Sequence, residues 1–122
     1  MQLTREAPAD RQLIQSYNPG QFRVNGMTFH GPVIVSAAAA LPWNATSVST
    51  LTLDSFAPLR DMKVDVCLLG CGAKMDRLPK ALRDALKEEG LNVEPMDTGS
   101  ACRTYNMLVV EGRKIAAALI PI

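Results

Sequence analysis

Polar and apolar positions alternate on both sides of the pair Asn25-Gly26. Gln21–Val24 reads Gln-Phe-Arg-Val before the pair, and Met27–His30 reads Met-Thr-Phe-His after it. An alternation with a period of two is typical of half-buried strands, and Asn-Gly readily supplies the two positive φ angles of a type I′ turn. We therefore predict a β-hairpin in the N-terminal half, lying as a separate antiparallel layer against the rest of the fold.

A buried strand, a glycine-containing loop and an amphipathic helix are predicted in succession after residue 63. Residues 64–69 are mostly apolar, and residues 70–73 read Gly-Cys-Gly-Ala. Leu78, Leu82 and Leu86 repeat at helical spacing, and Gly90 follows them as a helix stop signal. Residues 91–96 then predict another strand.

A second helix is predicted to open at Asp97-Thr98-Gly99-Ser100 and to end near Gly112. Thr98 or Ser100 is expected to cap it, because short hydroxyl side chains accept hydrogen bonds from the first backbone N–H groups of a helix. The apolar residues 115–120 predict a closing strand. This order of strands and helices indicates an α/β fold with a βαβ core.

The remaining segments give weaker patterns. Residues 48–53 alternate β-branched residues and are expected to form another strand, and residues 54–60 a short helix capped by Asp54 or Ser55. Residues 1–12 are polar and contain Pro8, which predicts a flexible leader. Residues 13–122 are then expected to form a single domain.

Charge and composition restrict the classes of partner. The chain has 122 residues, of which 48% are apolar, and its 13 basic residues against 12 acidic ones give a formal charge of +1. Nucleic acids and anionic membranes usually require a clear excess of clustered Lys and Arg, so neither is expected as a partner. The longest apolar run, at residues 33–41, is too short to insert across a membrane.

The cysteines indicate a reducing compartment. Cys67, Cys71 and Cys102 make an odd number, and no apolar signal segment precedes them. A secreted disulfide framework normally has an even number of cysteines, so we expect a cytoplasmic protein. One histidine and dispersed carboxylates do not supply the clustered ligands of a metal site, and no cofactor is expected.

Two segments contain the side chains most suited to chemistry, and both follow predicted strands. In a βαβ core, the loop at residues 70–73 and the helix at residues 98–106 both lie at the carboxyl ends of parallel strands, where ligands of such sheets bind. The two segments contribute nine candidate residues to a ligand or partner site: Gly70, Cys71, Gly72, Thr98, Gly99, Cys102, Arg103, Tyr105 and Asn106.

Both segments also admit structural interpretations. The glycines follow neither the dinucleotide-binding spacing nor the P-loop pattern, and they suit a tight turn equally well. Thr98 can act as a helix cap, Asn106 can bond to backbone groups and Tyr105 can pack in the core. Cys71 and Cys102 are expected to approach each other if the loops do, and a thiolate at a helix N-terminus near Arg103 can have a lowered pKa.

Four stretches together resemble the small Mth-type domain of unknown function. They are YNPG at residues 17–20, GCG at 70–72, TGSACRTYN at 98–106, and EGR followed by AAAL at 111–119. This family includes the mitochondrial respiratory complex I assembly factor three and the adipogenesis-associated Mth-domain protein. The chain resembles a prokaryotic member, because its N-terminus is not an arginine-rich presequence.

The resemblance implies a three-layer α/β fold with a central mixed sheet whose last strand is antiparallel to the others. It also implies a non-catalytic binding protein with a protein partner, of the kind that assists assembly of a respiratory complex. The alternative is a protein, including an enzyme, that binds a small molecule or anion between residues 70–73 and residues 98–106, with Arg103 holding the anion. A homo-oligomeric scaffold is a third possibility, and no role is assigned to His30.

Overall fold

The computed structural model of the protein describes residues 11–122. Residues 1–10, most of the predicted leader, lie outside the described residues. Gln12, also in the predicted leader, donates a backbone hydrogen bond to the carbonyl oxygen of Ala37 at 3.1 Å.

The predicted hairpin belongs to a small antiparallel sheet. Its strands are β1 (Ile14–Asn18), β2 (Gln21–Val24) and β3 (Met27–His30), in the spatial order β1-β2-β3. Asn25 has φ 47° and Gly26 has φ 86°, as a type I′ turn requires. The prediction of a hairpin in a separate antiparallel layer is therefore confirmed, and β1 adds a third strand to it.

The larger sheet has five strands and mixed direction. Its strands are β4 (Val33–Ser36), β5 (Ala40–Pro42), β6 (Val66–Cys71), β7 (Asn92–Met96) and β8 (Ile115–Ile120), in the order β5-β4-β8-β6-β7. Strand β6 pairs in parallel with both β7 and β8, and β4 pairs antiparallel with β8 and β5. This confirms the predicted α/β fold with a central mixed sheet.

The expected direction of the last strand is wrong. Strand β8 runs parallel to β6 and is antiparallel to β4. The helix between β7 and β8 carries the chain from the carboxyl end of β7 back to the edge where β6 and β7 begin. Strand β8 therefore runs in the same direction as β6.

Two α-helices cover opposite faces of the five-stranded sheet. Helix α1 (Lys80–Glu88) packs with the 3₁₀ helix Leu53–Arg60 on one face, whereas α2 (Thr98–Val110) and the three-stranded sheet cover the other. The side chains of β8 are buried on both sides, because the strand lies at the centre of the sheet. No helix among residues 11–122 is long and apolar enough to cross a bilayer.

The strand expected at residues 48–53 is absent from the described structure. Val48–Thr50 and Leu53–Arg60 are instead 3₁₀ helices, and the second begins one residue before the predicted short helix. Val48 and Leu51 are both buried, which suits a 3₁₀ conformation because side chains three residues apart lie on the same side of it. The short run of residues that includes β-branched side chains is compatible with a strand as well as with a 3₁₀ helix, so the sequence pattern did not distinguish them.

Candidate functional site

Thr98 connects the glycine loop, helix α2 and strand β8. Its hydroxyl donates a hydrogen bond to the carbonyl oxygen of Ile120 at 2.6 Å and accepts one from the N–H of Gly72 at 2.8 Å. The Thr98 N–H donates to the carbonyl oxygen of Gly72 at 2.9 Å. The loop and the first turn of α2, which were expected to flank a crevice, are therefore bonded directly to each other here.

Gly70 and Gly72 both have structural reasons to be glycine. A Cβ atom at Gly70 would lie 2.9 Å from Leu119 Cδ2 and 3.2 Å from the Cα of Thr98. Gly72 has φ 95°, a backbone conformation that other residues rarely adopt. The first glycine thus allows close packing of β6 against α2, and the second allows the turn that follows the strand.

The cap of helix α2 is Asp97, not the predicted Thr98 or Ser100. Its carboxylate accepts hydrogen bonds from the Ser100 N–H at 2.9 Å and from the Ser100 hydroxyl at 2.7 Å. These hydrogen bonds lower the pKa of the Asp97 carboxyl. The sequence placed the helix start correctly, but the residue immediately before it provides the cap.

The Tyr17 and Arg103 side chains bring two of the sequence motifs together. Arg103 Nη1 donates to the Tyr17 hydroxyl at 3.0 Å, and Arg103 Nη2 donates to Ser100 Oγ at 3.4 Å. Gly99 lies beneath this contact, since a Cβ atom there would be 2.6 Å from the Tyr17 hydroxyl. Tyr17 was not among the nine predicted site residues, although it is the first residue of the YNPG motif at residues 17–20.

Tyr105 and Asn106 hold strand β1 against helix α2. Asn106 accepts from the Ile14 N–H at 2.9 Å and donates to the Ile14 carbonyl oxygen at 2.8 Å. The Tyr105 hydroxyl donates to the carbonyl oxygen of Gln12 at 2.7 Å. Burial raises the pKa of the Tyr105 phenol. The interpretation that Asn106 bonds backbone and Tyr105 packs describes these contacts.

The possibility of a thiolate with a lowered pKa is not supported for Cys71 or Cys102. Burial raises the pKa of Cys102 to about 12, and it also raises the pKa of the half-buried Cys71. Cys102 packs in the core on the α2 face of the large sheet, whereas Cys71 packs against the core on the α1 face, so the two do not form one site. The positive charge of Arg103 acts to lower the pKa of Cys102, but the cost of desolvating the buried thiolate is larger.

The nine candidate residues thus divide into a buried group and two accessible side chains. Arg103 is exposed and Cys71 is half-buried, while the other seven residues are buried. Within residues 11–122, no three His, Cys, Asp or Glu side chains are grouped closely enough to hold a metal ion. His30 is exposed on β3, opposite Gln21. Arg103, Ser100 and Tyr17 together offer hydrogen-bonding groups near the surface at the start of α2.

Similar sequences come from bacteria and from animals. An uncharacterised protein of Rhodobacter capsulatus is 42% identical over 110 residues, covering 88% of this chain and 83% of that protein. The NADH dehydrogenase [ubiquinone] 1 alpha subcomplex assembly factor 3 of Danio rerio is 40% identical over 98% of this chain and 69% of its own length. For the human form the identity is 37%, over 98% of this chain and 65% of that protein.

Solved structures share the architecture. A crystal structure of a Bordetella parapertussis protein has a TM-score of 0.85 at 28% identity, covering 94% of this chain and 100% of that chain. A crystal structure of a Bartonella henselae outer membrane protein has a TM-score of 0.79 at 31% identity, covering 91% and 95%. A Bordetella pertussis protein described as a Mth938-like domain has a TM-score of 0.83 at 23% identity, covering 99% and 92%, which shows the fold alone.

The family model that matches this chain is described as a protein of unknown function, DUF498/DUF598, and it spans residues 14–120. That match covers nearly the whole of the described structure, including both sheets and both helices. The resemblance to the Mth-type domain and to the complex I assembly factor is confirmed by the same comparisons. The chain belongs to the DUF498/DUF598 family of proteins of unknown function.

Proposed function

We propose that this protein is a non-catalytic binding protein that assists assembly of a membrane-associated respiratory complex. The observation that carries the proposal is the 40% identity, over 98% of this chain, with the NADH dehydrogenase assembly factor 3 of Danio rerio. The chain aligns with 69% of that protein, so the remaining part of the relative is not represented in the alignment.

The contacts of the buried candidate residues favour a role in binding through the protein surface over a catalytic role. Thr98 uses its hydroxyl to join Gly72 to Ile120, and Asn106 uses both ends of its amide on Ile14. These buried side chains maintain the fold and are poorly placed to contact a substrate. A partner must be recognised by the groups that reach the surface.

The exposed side of helix α2 is the candidate surface for the partner. Arg103 is exposed, and Met107 lies one turn further along the helix with 46% of its surface exposed. Residues four apart face the same side of a helix. Arginine and methionine are both enriched in the buried centres of protein interfaces. We place the protein contact on this side of α2.

The test is recovery of respiratory-complex proteins from cells in which the gene carries a chromosomal affinity tag. The complex is crosslinked, purified and quantified by mass spectrometry, and complex I is measured on native gels after deletion of the gene. The double variant R103A/M107A is compared with M75A, since Met75 is also exposed but lies in the loop before α1. Recovery of complex I subunits by the wild type and M75A, with loss in R103A/M107A, supports both role and surface. Normal complex I levels after deletion, with no subunits recovered, refute the role.

Binding of a small molecule or anion is the second candidate function, as one observation favours it. The Arg103 guanidinium lies at the surface within 3.4 Å of the Ser100 hydroxyl, at the start of a helix whose N-terminus favours anions. The Asp97 carboxylate already occupies that N-terminus, which weakens this candidate. Thermal-shift measurements with inorganic phosphate and with nucleotides test it. A rise in Tm that disappears in Arg103→Ala would support it, and no rise with either class would exclude those ligands.

Cytoplasmic localisation and homo-oligomer formation are also proposals. Fractionation of cells that express the tagged protein tests the first. Light scattering coupled to size-exclusion chromatography tests the second, because it gives the mass of the particle independently of shape. A membrane-fraction signal that survives a salt wash contradicts the first, and a monomer mass at all concentrations contradicts the second.

A further inference from the structure

Two clefts meet at the end of the large sheet where the parallel strands begin, opposite the candidate site. One, of about 400 Å³, lies on the α1 face and the other, of about 240 Å³, lies on the α2 face. Both are lined by Lys63, Val64 and Lys114, the residues that precede β6 and β8. The two clefts therefore adjoin at this end of the sheet, and we name them together the basic groove.

The basic groove concentrates positive charge in an almost neutral chain. Its cationic residues are Arg11, Arg60, Lys63, Arg113 and Lys114. Its carboxylates are Asp65 and Glu89. The groove thus carries three surplus positive charges, whereas the whole chain carries a formal charge of +1.

Within the described part of the chain, most of these cations form no ion pair with a carboxylate. Glu89 neutralises Arg60, with Nε and Oε1 2.9 Å apart. Among residues 11–122, no ion pair involves Arg11, Lys63, Arg113 or Lys114. Two of these, Arg113 and Lys114, follow the C-terminus of α2, the end of a helix that favours cations. That explanation does not extend to Lys63, which belongs to the segment before β6.

The floor of the basic groove is mainly apolar on the α2 face, where it includes Ala37, Val109 and Ile115. On the α1 face the lining is mainly polar, and the buried Phe56 and Leu86 contribute only a small apolar part. The Lys and Arg side chains of the groove repel cationic ligands and attract carboxylates. The apolar part of the floor can in addition contact aliphatic side chains, so a ligand that has both kinds of group fits best. A chain of alternating acidic and apolar residues has this chemistry.

We infer that the basic groove binds an extended acidic segment of a protein partner, with carboxylates on the cations and aliphatic side chains on the floor. This inference rests on the proposed protein-binding role, and it assigns a second contact surface to that role. The groove's two adjoining clefts lie on opposite faces of the sheet, so together they are longer than a single phosphate or carboxylate requires. Its concave shape suits a chain better than the flat surface of a membrane.

The direct test uses synthetic probes. A fluorescein-labelled dodecapeptide of repeating Glu-Glu-Leu is titrated with the protein, beside a Lys-Lys-Leu dodecapeptide and vesicles of phosphatidylcholine with phosphatidylglycerol. Fluorescence anisotropy gives the affinity, and amide NMR shifts locate the site. The variant K63N/R113Q/K114Q removes three groove charges, and K74Q/R77Q/K87Q removes three exposed charges from the region around α1. Asparagine is used at residue 63 because that residue has φ 54°.

We expect the acidic peptide to shift the amides around Lys63 and Lys114 and to bind more weakly as salt increases. The groove variant should lose about tenfold in affinity, and the control variant should bind as the wild type does. Equal loss in both variants, or vesicle binding without peptide binding, would overturn the inference. So would groove variants that fold normally and recover respiratory subunits as well as the wild type does. Absence of subunits from the wild-type purification refutes the proposed function instead, since the peptide titration does not depend on it.

Discussion

Asn106 and Ile14 are 92 residues apart in the sequence and are joined by two hydrogen bonds between the Asn106 amide and the Ile14 backbone. The side chain of a helix thereby takes the place of a neighbouring strand on the side of β1 that faces away from β2. Both groups are buried, so neither backbone atom of Ile14 can turn to water instead. The contact fixes the small sheet on helix α2.

Replacing Asn106 with leucine should destabilise the protein by about 2–4 kcal/mol, because it leaves a buried N–H and a buried carbonyl without partners. Urea unfolding followed by circular dichroism measures the change. Asn44→Ala is the matched control, since Asn44 is exposed and should change stability by less than about 0.5 kcal/mol. A cost for Asn106→Leu as small as the control's would show that the bonds do not contribute.

Gly99→Ala should be destabilising mainly through Tyr17, because the other close side-chain atom, Arg103 Nη1 at 3.2 Å, is the end of a flexible side chain. The added Cβ would lie 2.6 Å from the Tyr17 hydroxyl, and forcing such a contact typically costs about 1–3 kcal/mol. In a Tyr17→Ala background the same substitution should be neutral or slightly stabilising, because alanine is the better helix former. A double-mutant cycle measured by urea unfolding separates the two effects. Equal costs of Gly99→Ala in both backgrounds would contradict the contact.

Stability should fall in acid partly through Asp97. Hydrogen bonds from Ser100 lower the folded-state pKa of Asp97 below its ordinary value of 3.8. A carboxyl whose folded pKa is lowered contributes stability above its unfolded pKa and loses that contribution as pH falls through the folded pKa. The stability advantage of the wild type over Asp97→Ala should therefore be constant above about pH 5 and shrink below the unfolded value. Urea midpoints across this range measure it, and an advantage that grows in acid would falsify the assignment.

The three cysteines should differ in reactivity. Burial raises the pKa of Cys67 and of Cys102 to about 12, whereas Cys71 is half-buried with its pKa raised less. Native protein treated with iodoacetamide near neutral pH should gain at most one slow adduct, and that adduct should be absent from Cys71→Ser. Protein unfolded in urea should gain three. Intact-mass spectrometry measures both, and fast labelling of Cys102 in the native state would show that its environment opens.

Local patterns were sufficient for much of the fold. Asn25-Gly26 fixed one turn through its own backbone preferences. The helical spacing of Leu82 and Leu86 located α1, which begins two residues after Leu78. The direction of β8 was predicted wrongly because it depends on how α2 carries the chain back across the sheet. The 3₁₀ helix at Val48 escaped prediction because burial of Val48 and Leu51 is decided by distant residues.

The candidate site was harder to predict than the fold. The sequence identified Thr98, Arg103 and Asn106 as residues with functional side chains, but their partners lie far away in the chain. Asn106 bonds to Ile14, and Thr98 bonds to Gly72 and Ile120. A pattern confined to one segment cannot reveal such partners, and so it did not distinguish a hydrogen-bonded core residue from a ligand-binding one.

The central position of β8 has a consequence for how this protein is made. The β4–β5 pair and the β6–β7 pair join the same sheet through β8, which lies between them. While a ribosome is still synthesising the segment that becomes β8, no strand connects the two pairs. The apolar side chains of both pairs therefore remain exposed to water. The chain should therefore acquire its native structure in one late step, and nascent chains that stop before residue 115 should depend on chaperones to stay soluble.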